Sequence, residues 1–142
     1  MIVIDANLLI YAYDRASSDH KKSLAWLEDV LSEAEAVGLP WQSISAFLQV
    51  ITNRRLAGAR ATVEQAVQIA EEWLQQPNVQ MLVPGDQHWS VLRRMILEGR
   101  ASGPLVSDAQ IAALTIEYGG VLHTTDRDFA RFPGLRWKNP LS

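Results

Sequence analysis

The chain has 142 residues, 48% of them apolar and 20% charged, a balance that excludes disordered, collagen-like and coiled-coil architectures. A chain of this length buries roughly 70% of the surface its unfolded form exposes, so one core suffices and residues 1–142 read as a single domain. The formal net charge of −3 argues against a protein that merely coats nucleic acid, and the absence of cysteine removes disulfides, thiolate zinc sites, iron–sulfur clusters and cysteine nucleophiles.

Short apolar runs alternate with longer amphipathic segments, the pattern of an α/β domain on a mostly parallel sheet. Residues 2–5 predict a buried strand, and Ala6 to Asp14 a short helix. Residues 19–36 carry Leu24, Leu27, Val30, Leu31 and Ala34 at helical spacing. Gly38 to Trp41 is a candidate second strand, followed by a helix that aligns Ile44, Phe47, Leu48 and Ile51. A basic loop over residues 54–61 precedes Thr62, which caps the next helix with Gln65 three residues on; Pro77 stops that helix. Val79 to Val83 is the third strand, and Asp86 caps a helix ending near Glu98 and Gly99. Leu105-Val106-Ser107 reads as extended, with Ser107 or Asp108 opening a helix that closes at Tyr118-Gly119-Gly120. Val121 to Thr125 is the fourth strand, and Leu135 to Trp137 a short edge strand. Trp73 fits a core stripe, and the core is the default place for Trp26, Trp41, Trp89 and Trp137. No run reaches the ~18 apolar residues of a membrane span, and the first residues carry no basic leader. A cytoplasmic protein with no membrane partner is therefore expected.

Three aspartates occupy comparable addresses. Asp5 ends the first strand, Asp126 follows the fourth, and Asp108 sits where a helix begins. In an open parallel sheet the ligand crevice lies outside the carboxyl ends of the strands, so all three can converge there. Each has a plainer reading: Asp108 as a helix cap, Asp126 as a turn former. Asp5 is harder to dismiss, because it sets a charge against Leu8-Leu9-Ile10, and such a charge needs a partner. Clustered carboxylates repel, and a hard divalent cation with oxygen ligands, Mg²⁺ or Mn²⁺, resolves the conflict. His20, His88 and His123 show no sign of sharing a site, which sets aside a histidine-based ribonuclease. An aspartyl phosphotransferase needs an acid at position 7, where Asn7 stands.

Three runs carry a family resemblance. They are Val3-Ile4-Asp5-Ala6-Asn7-Leu8-Leu9-Ile10-Tyr11-Ala12, Ser107-Asp108-Ala109-Gln110-Ile111-Ala112-Ala113-Leu114, and the closing run from Thr124 to Trp137 with Thr125-Asp126-Arg127-Asp128-Phe129 at its head. In order, spacing and extent the chain resembles the PIN-domain ribonucleases, specifically the VapC-type toxins of type II toxin–antitoxin systems. The resemblance implies a PIN-like three-layer α/β fold, with a mostly parallel central sheet of four to five strands flanked by helices. It implies that Asp5, Asp108 and Asp126 bind the metal, Mg²⁺ with Mn²⁺ as the alternative. Asp128 resembles a further acid of the catalytic centre and reads equally as a solvated helix start. Asn7 and Thr125 match supporting polar positions, although a cap is the favoured role for Asn7. The implied activity is metal-dependent hydrolysis of RNA, with a homodimer and a cognate antitoxin as partners. Arg54, Arg55, Arg60, Arg93, Arg94, Arg127 and Arg131 are candidate phosphate contacts.

One departure matters. Where the family places a glutamate in the helix after the second strand, this chain has Ala46, and no acid lies between Trp41 and Asn53. Ser43, one turn earlier, offers only a neutral oxygen. The alternative is thus a catalytically impaired PIN-like module that binds antitoxin and RNA without cleaving.

Overall fold

Ile2, Val3 and Ile4 point alternately to the two faces of a strand, and that alternation feeds two cores: Ile2 and Ile4 pack into one cluster and Val3 into the other. The computed structural model describes residues 1–55 and 61–142. Its strands are β1 (Ile2–Ile4), β2 (Val37–Pro40), β3 (Val79–Leu82), β4 (Val121–His123) and β5 (Trp137–Lys138). They form one sheet in the order β3-β2-β1-β4-β5 with every neighbouring pair parallel, so the mostly parallel sheet of four to five strands is realised as five, all parallel.

Parallel strands need crossovers, and the helices supply them. α1 (Ala6–Tyr13), α2 (His20–Ser32), α3 (Trp41–Ile51) and α4 (Val63–Leu74) cover one face. α5 (His88–Gly99), α6 (Leu105–Glu117) and the 3-10 helix Arg127–Arg131 cover the other, with Phe129 and Phe132 in its core. The first core is closed by aromatic contacts, Phe47 against Trp73 at 4.6 Å between ring centroids and Tyr13 against Phe47 at 5.8 Å. Thr62 and Gln65 complete the expected reciprocal cap of α4, the Gln65 amide donating to Thr62 Oγ1 at 3.1 Å and the Thr62 amide to Gln65 Oε1 at 2.9 Å.

Several boundaries differ from expectation, each for a local reason. Leu105-Val106-Ser107 is helical: α6 begins right after Pro104, whose fixed φ suits a helix start, so Asp108 lies inside the first turn and is not the cap. Asp86 does not cap α5; Gln87 holds that position without a side-chain bond, and the His88 amide donates to the Gly85 carbonyl. α5 runs through Gly99, and Arg100 carries the left-handed turn at φ 53°. Residues 33–36 fall outside α2, β2 begins at Val37, and Trp41 opens α3 instead of ending a strand. β4 stops at His123, and the edge strand is Trp137–Lys138. Trp41 and Trp89 are 52% and 67% exposed, not core. Most of the predicted basic loop, Arg60 included, lies outside the described residues. No described helix is long and apolar enough to cross a membrane.

This topology fixes where a ligand can sit. From β1 the sheet extends one way through β2 and β3 and the other way through β4 and β5, so the strand order reverses between β1 and β4. A crevice opens outside the carboxyl ends of those two strands, and Asp5 and Asp126 follow them.

Candidate active site

Asp5 stands where β1 gives way to α1, 8% exposed. It is the N-cap of α1: its Oδ1 accepts from the Ala6 amide at 2.8 Å, while Oδ2 accepts from the Thr124 hydroxyl at 2.7 Å. Asn7 is therefore not the cap. Its side-chain amide instead reaches across the crevice and donates to Thr125 Oγ1 at 2.8 Å and Thr124 Oγ1 at 3.4 Å. Thr124, fully buried, is the hub of this network, because its oxygen also accepts from the Asp126 amide at 3.0 Å. Asp126 in turn caps the 3-10 helix, its Oδ1 accepting from the Asp128 amide at 2.9 Å. Thus β1, α1 and the segment after β4 are stitched together by side chains whose sequence positions lie 117 to 119 apart.

Asp108 reaches the same crevice from the first turn of α6. Its pKa is pushed up to about 6, chiefly by burial and then by the negative charges of Asp5, Asp126 and Asp128, with Arg131 opposing. Burial also raises the Asp5 pKa, against the hydrogen bonds from Thr124 and Ala6, and Asp126 adds to the rise. Asp128 is exposed at the start of the 3-10 helix and acts on Asp108 through its field. The acids named from sequence thus feel one another's charge at one rim.

The donor chemistry fits a hard divalent ion. All of the oxygens are carboxylate or neutral, and Asn7 Oδ1 is a buried acceptor with no hydrogen-bond donor among the described residues. The carboxylates do not close into a ready-made set: among the described residues no three His, Asp or Glu side chains stand close enough to hold one ion. A Mg²⁺ ion keeps several waters and needs only one or two direct carboxylates, so an open arrangement suits it better than a tight cage would.

The α3 wall is neutral. The Ser43 hydroxyl, fully buried, donates to the Ile4 carbonyl at 2.7 Å, which docks α3 on the end of β1 and takes that hydroxyl proton out of site chemistry. Gln42 donates to Gln110 Oε1 at 3.3 Å, joining α3 to α6, and its own Oε1 is buried with no hydrogen-bond partner among the described residues. Arg131 donates to the Gly99 carbonyl at 3.0 Å, so its guanidinium is fixed where it tempers Asp108. Thr124 and Gln42 are the residues that sequence reasoning passed over. The doubled threonine ahead of Asp126 was the available signal for the first; for the second there was none. A cavity of about 820 Å³ lies elsewhere, between the end of α1, the start of α2, the end of α3 and α4.

The model of the PIN domain family matches residues 2–135. The chain belongs to the PIN-domain family. Within it the chain falls among the VapC-type proteins. It is 35% identical over 141 residues to "Ribonuclease VapC33" of Mycobacterium tuberculosis, covering 99% of each chain, and 36% identical over 140 residues to "Ribonuclease VapC37" of the same species, covering 99% of this chain and 97% of that one. Among solved structures, VapBC2 from Rickettsia felis, bound to a DNA fragment from its promoter, superimposes with a TM-score of 0.67 at 16% identity over 98% of both chains. That likeness carries the fold: the PIN three-layer arrangement is the one described above.

Proposed function

We propose that this PIN domain, residues 1–142, is the toxin of a type II toxin–antitoxin pair, an endoribonuclease that hydrolyses RNA phosphodiester bonds with a divalent cation, Mg²⁺ or Mn²⁺, in the cytoplasm. The observation that supports the reading is the placement of buried Asp5 at the end of β1, Asp126 after β4 and half-buried Asp108 in the first turn of α6, with the charges of Asp5 and Asp126 adding to the effect of burial on Asp108. The ribonuclease names of relatives at 35–36% identity support the reaction class.

Asp5, Asp108 and Asp126 would hold the ion, one or two of them directly and the rest through its waters. When bound, it supplies charge neutralisation at the phosphoryl oxygens and acidifies a water. Thr124 keeps Asp5 oriented through its hydrogen bond to Oδ2 and favours the ionised form against the effect of burial. Asn7 Oδ1 offers an acceptor to the water shell. One of the carboxylates takes the proton of the attacking water, Asp128 adds negative potential at Asp108, and no side-chain nucleophile is required. The products carry a 5′-phosphate and a 3′-hydroxyl, because attack comes from water and not from the ribose 2′-hydroxyl.

A cognate antitoxin completes the proposal, and a homodimer is the expected working form. The solved relative is a toxin–antitoxin complex, which supports such a partner. So does α4, where Val63, Val67 and Leu74 lie on one helical stripe and are exposed.

The test is cleavage of a structured RNA in Mg²⁺ or Mn²⁺ by the parent, Asp5→Ala and Asp108→Ala. Each variant is expected to lose on the order of 10³-fold in rate. Equal cleavage by all three refutes the assignment of these acids. No cleavage by any favours the second reading, a binding module that has lost catalysis, for which Ala46 and the neutral α3 wall are the specific observations.

A further inference from the structure

The ladder between β1 and β2 breaks one rung before the acid centre. In a parallel pair, alternate residues of a strand turn both backbone groups to the same neighbour. The Ile2 amide donates to the Ala36 carbonyl at 2.9 Å, which marks Ile2 and Ile4 as the residues that β1 turns to β2. Val3 is level with Gly38, so the donor due at the Ile4 carbonyl is the amide of residue 40. That residue is Pro40, which has no amide hydrogen. Ile4 is fully buried, where a carbonyl left without a donor is costly.

Ser43 supplies the missing rung. Its hydroxyl, fully buried as well, donates to the Ile4 carbonyl at 2.7 Å, the favoured length for such a bond. A serine inside a helix commonly turns back on a carbonyl of its own helix; this one reaches 39 positions away to the strand. The carbonyl it holds belongs to the peptide that carries the Asp5 nitrogen, and the Asp5 amide is held from the other side by the His123 carbonyl at 3.1 Å. The last peptide before the acid is thus tied on both edges, to α3 and to β4. Thr124 and the Ala6 amide then fix the carboxylate on that base. A strand end that lacks its last rung is loose, and a carboxylate that must stand within about 0.5 Å of its productive place cannot ride on it.

We propose that Ser43 is a positioning residue of the acid centre: by making the rung that Pro40 cannot, it fixes the Ile4–Asp5 peptide and with it the place at which Asp5 meets the divalent ion. This role rests on the cation reading of Asp5 and adds to it a residue that acts from α3.

The experiment compares the full chain with Ser43→Ala, Pro40→Ala and the double variant Pro40→Ala/Ser43→Ala, in which residue 40 regains an amide hydrogen. Two quantities are read. One is Mn²⁺ affinity by titration calorimetry. The other is hydrogen-exchange protection of the Asp5 amide against that of the Val121 amide, which donates to the Met1 carbonyl at the far end of the same strand pair. Ser43→Ala is expected to bind Mn²⁺ roughly 10-fold more weakly and to lose 5- to 100-fold in Asp5 protection, with Val121 unchanged. The double variant should recover most of both losses and match Pro40→Ala. Unchanged Mn²⁺ affinity in Ser43→Ala overturns the inference, and so does protection lost equally at Asp5 and Val121, which is general loosening. A double variant no better than Ser43→Ala overturns it too, because a hydroxyl that merely fills space is not replaced by an amide hydrogen at residue 40. Should Ser43→Ala fail to fold, equal Mn²⁺ affinity of the double variant and Pro40→Ala upholds the replacement, and a weaker double variant overturns it. A parent that takes up no Mn²⁺ sinks the cation reading; Asp5 protection lost in Ser43→Ala and regained in the double variant then upholds the tie, and protection retained in Ser43→Ala overturns it.

Discussion

On the β1–β4 side of the acid centre one threonine ties together Asp5, Asp126 and Asn7, and every one of those bonds crosses or borders the switch point of the sheet. On the α3 side stand Ala46, a serine committed to a backbone carbonyl, and a glutamine whose carbonyl oxygen has no hydrogen-bond partner among the described residues. The first wall is charged, buried and over-determined. The second is neutral, and its hydrogen bonds go to the Ile4 carbonyl and Gln110 instead of to the acids. The contrast teaches that positioning of the acids and supply of negative charge are separate jobs, and that this chain has kept the first more fully than the second.

Breaking the strong wall carries the largest expected effect. Thr124→Val keeps the shape but removes the hydroxyl, so Asp5 loses the bond that favours its ionised form and the Asp126 amide loses its acceptor. Metal affinity and cleavage should fall 10- to 100-fold, roughly the effect of deleting an outer-shell partner, and Thr124→Ser should restore most of both. Titration calorimetry with Mn²⁺ decides the point; undiminished affinity in Thr124→Val would show that the hub is ornamental.

The same strand end holds a second titratable group. Burial lowers the pKa of His123, which stacks on Trp26 at 5.5 Å, from 6.5 to about 4, with Lys138 adding to the shift. Between those two values the unfolded chain binds the proton and the folded chain does not, so stability is lost as pH falls from ~6.5 towards ~4. Asp108 works the other way, since its raised pKa makes the folded state the better proton acceptor near pH 5. The difference between parent and His123→Leu isolates the histidine. Urea denaturation should show the parent losing about 1–2 kcal/mol more than the variant between pH 7.5 and pH 5, after allowance for partial solvation of the ring. Parallel pH profiles would refute the assignment.

The smallest expected effect mends the weak wall. Ala46→Glu adds a carboxylate to α3 and should raise Mn²⁺ affinity by about threefold to tenfold, because charge count tunes divalent affinity. No gain in calorimetry would mean that position 46 does not face the acids.

Much of this plan is written locally. Alternation in Ile2-Val3-Ile4, the helical stripe of α4 and its Thr62–Gln65 cap follow from neighbours within a few residues, and such features read directly from sequence. Asp5 was legible because a charge beside a continuous apolar run has few structural excuses. What escaped depends on distant partners. Asn7 has the composition of a cap, yet its bonds go to Thr124 and Thr125 across the crevice. Leu105-Val106-Ser107 is apolar enough for a strand and is helical because α6 packs into the second core on nearly every side. Trp41 and Trp89 have the residue type of a core, and only their places at helix starts leave them in solvent.

The central strand has a bearing on synthesis. Ile2 is in register with Val121, so β1 waits for a strand more than a hundred residues later in the chain. At ~5–20 residues per second that interval is on the order of ten seconds. Asp5 and Asp126 cannot meet before it ends. A site that needs both acids therefore cannot assemble on a growing chain until the segment after β4 has emerged.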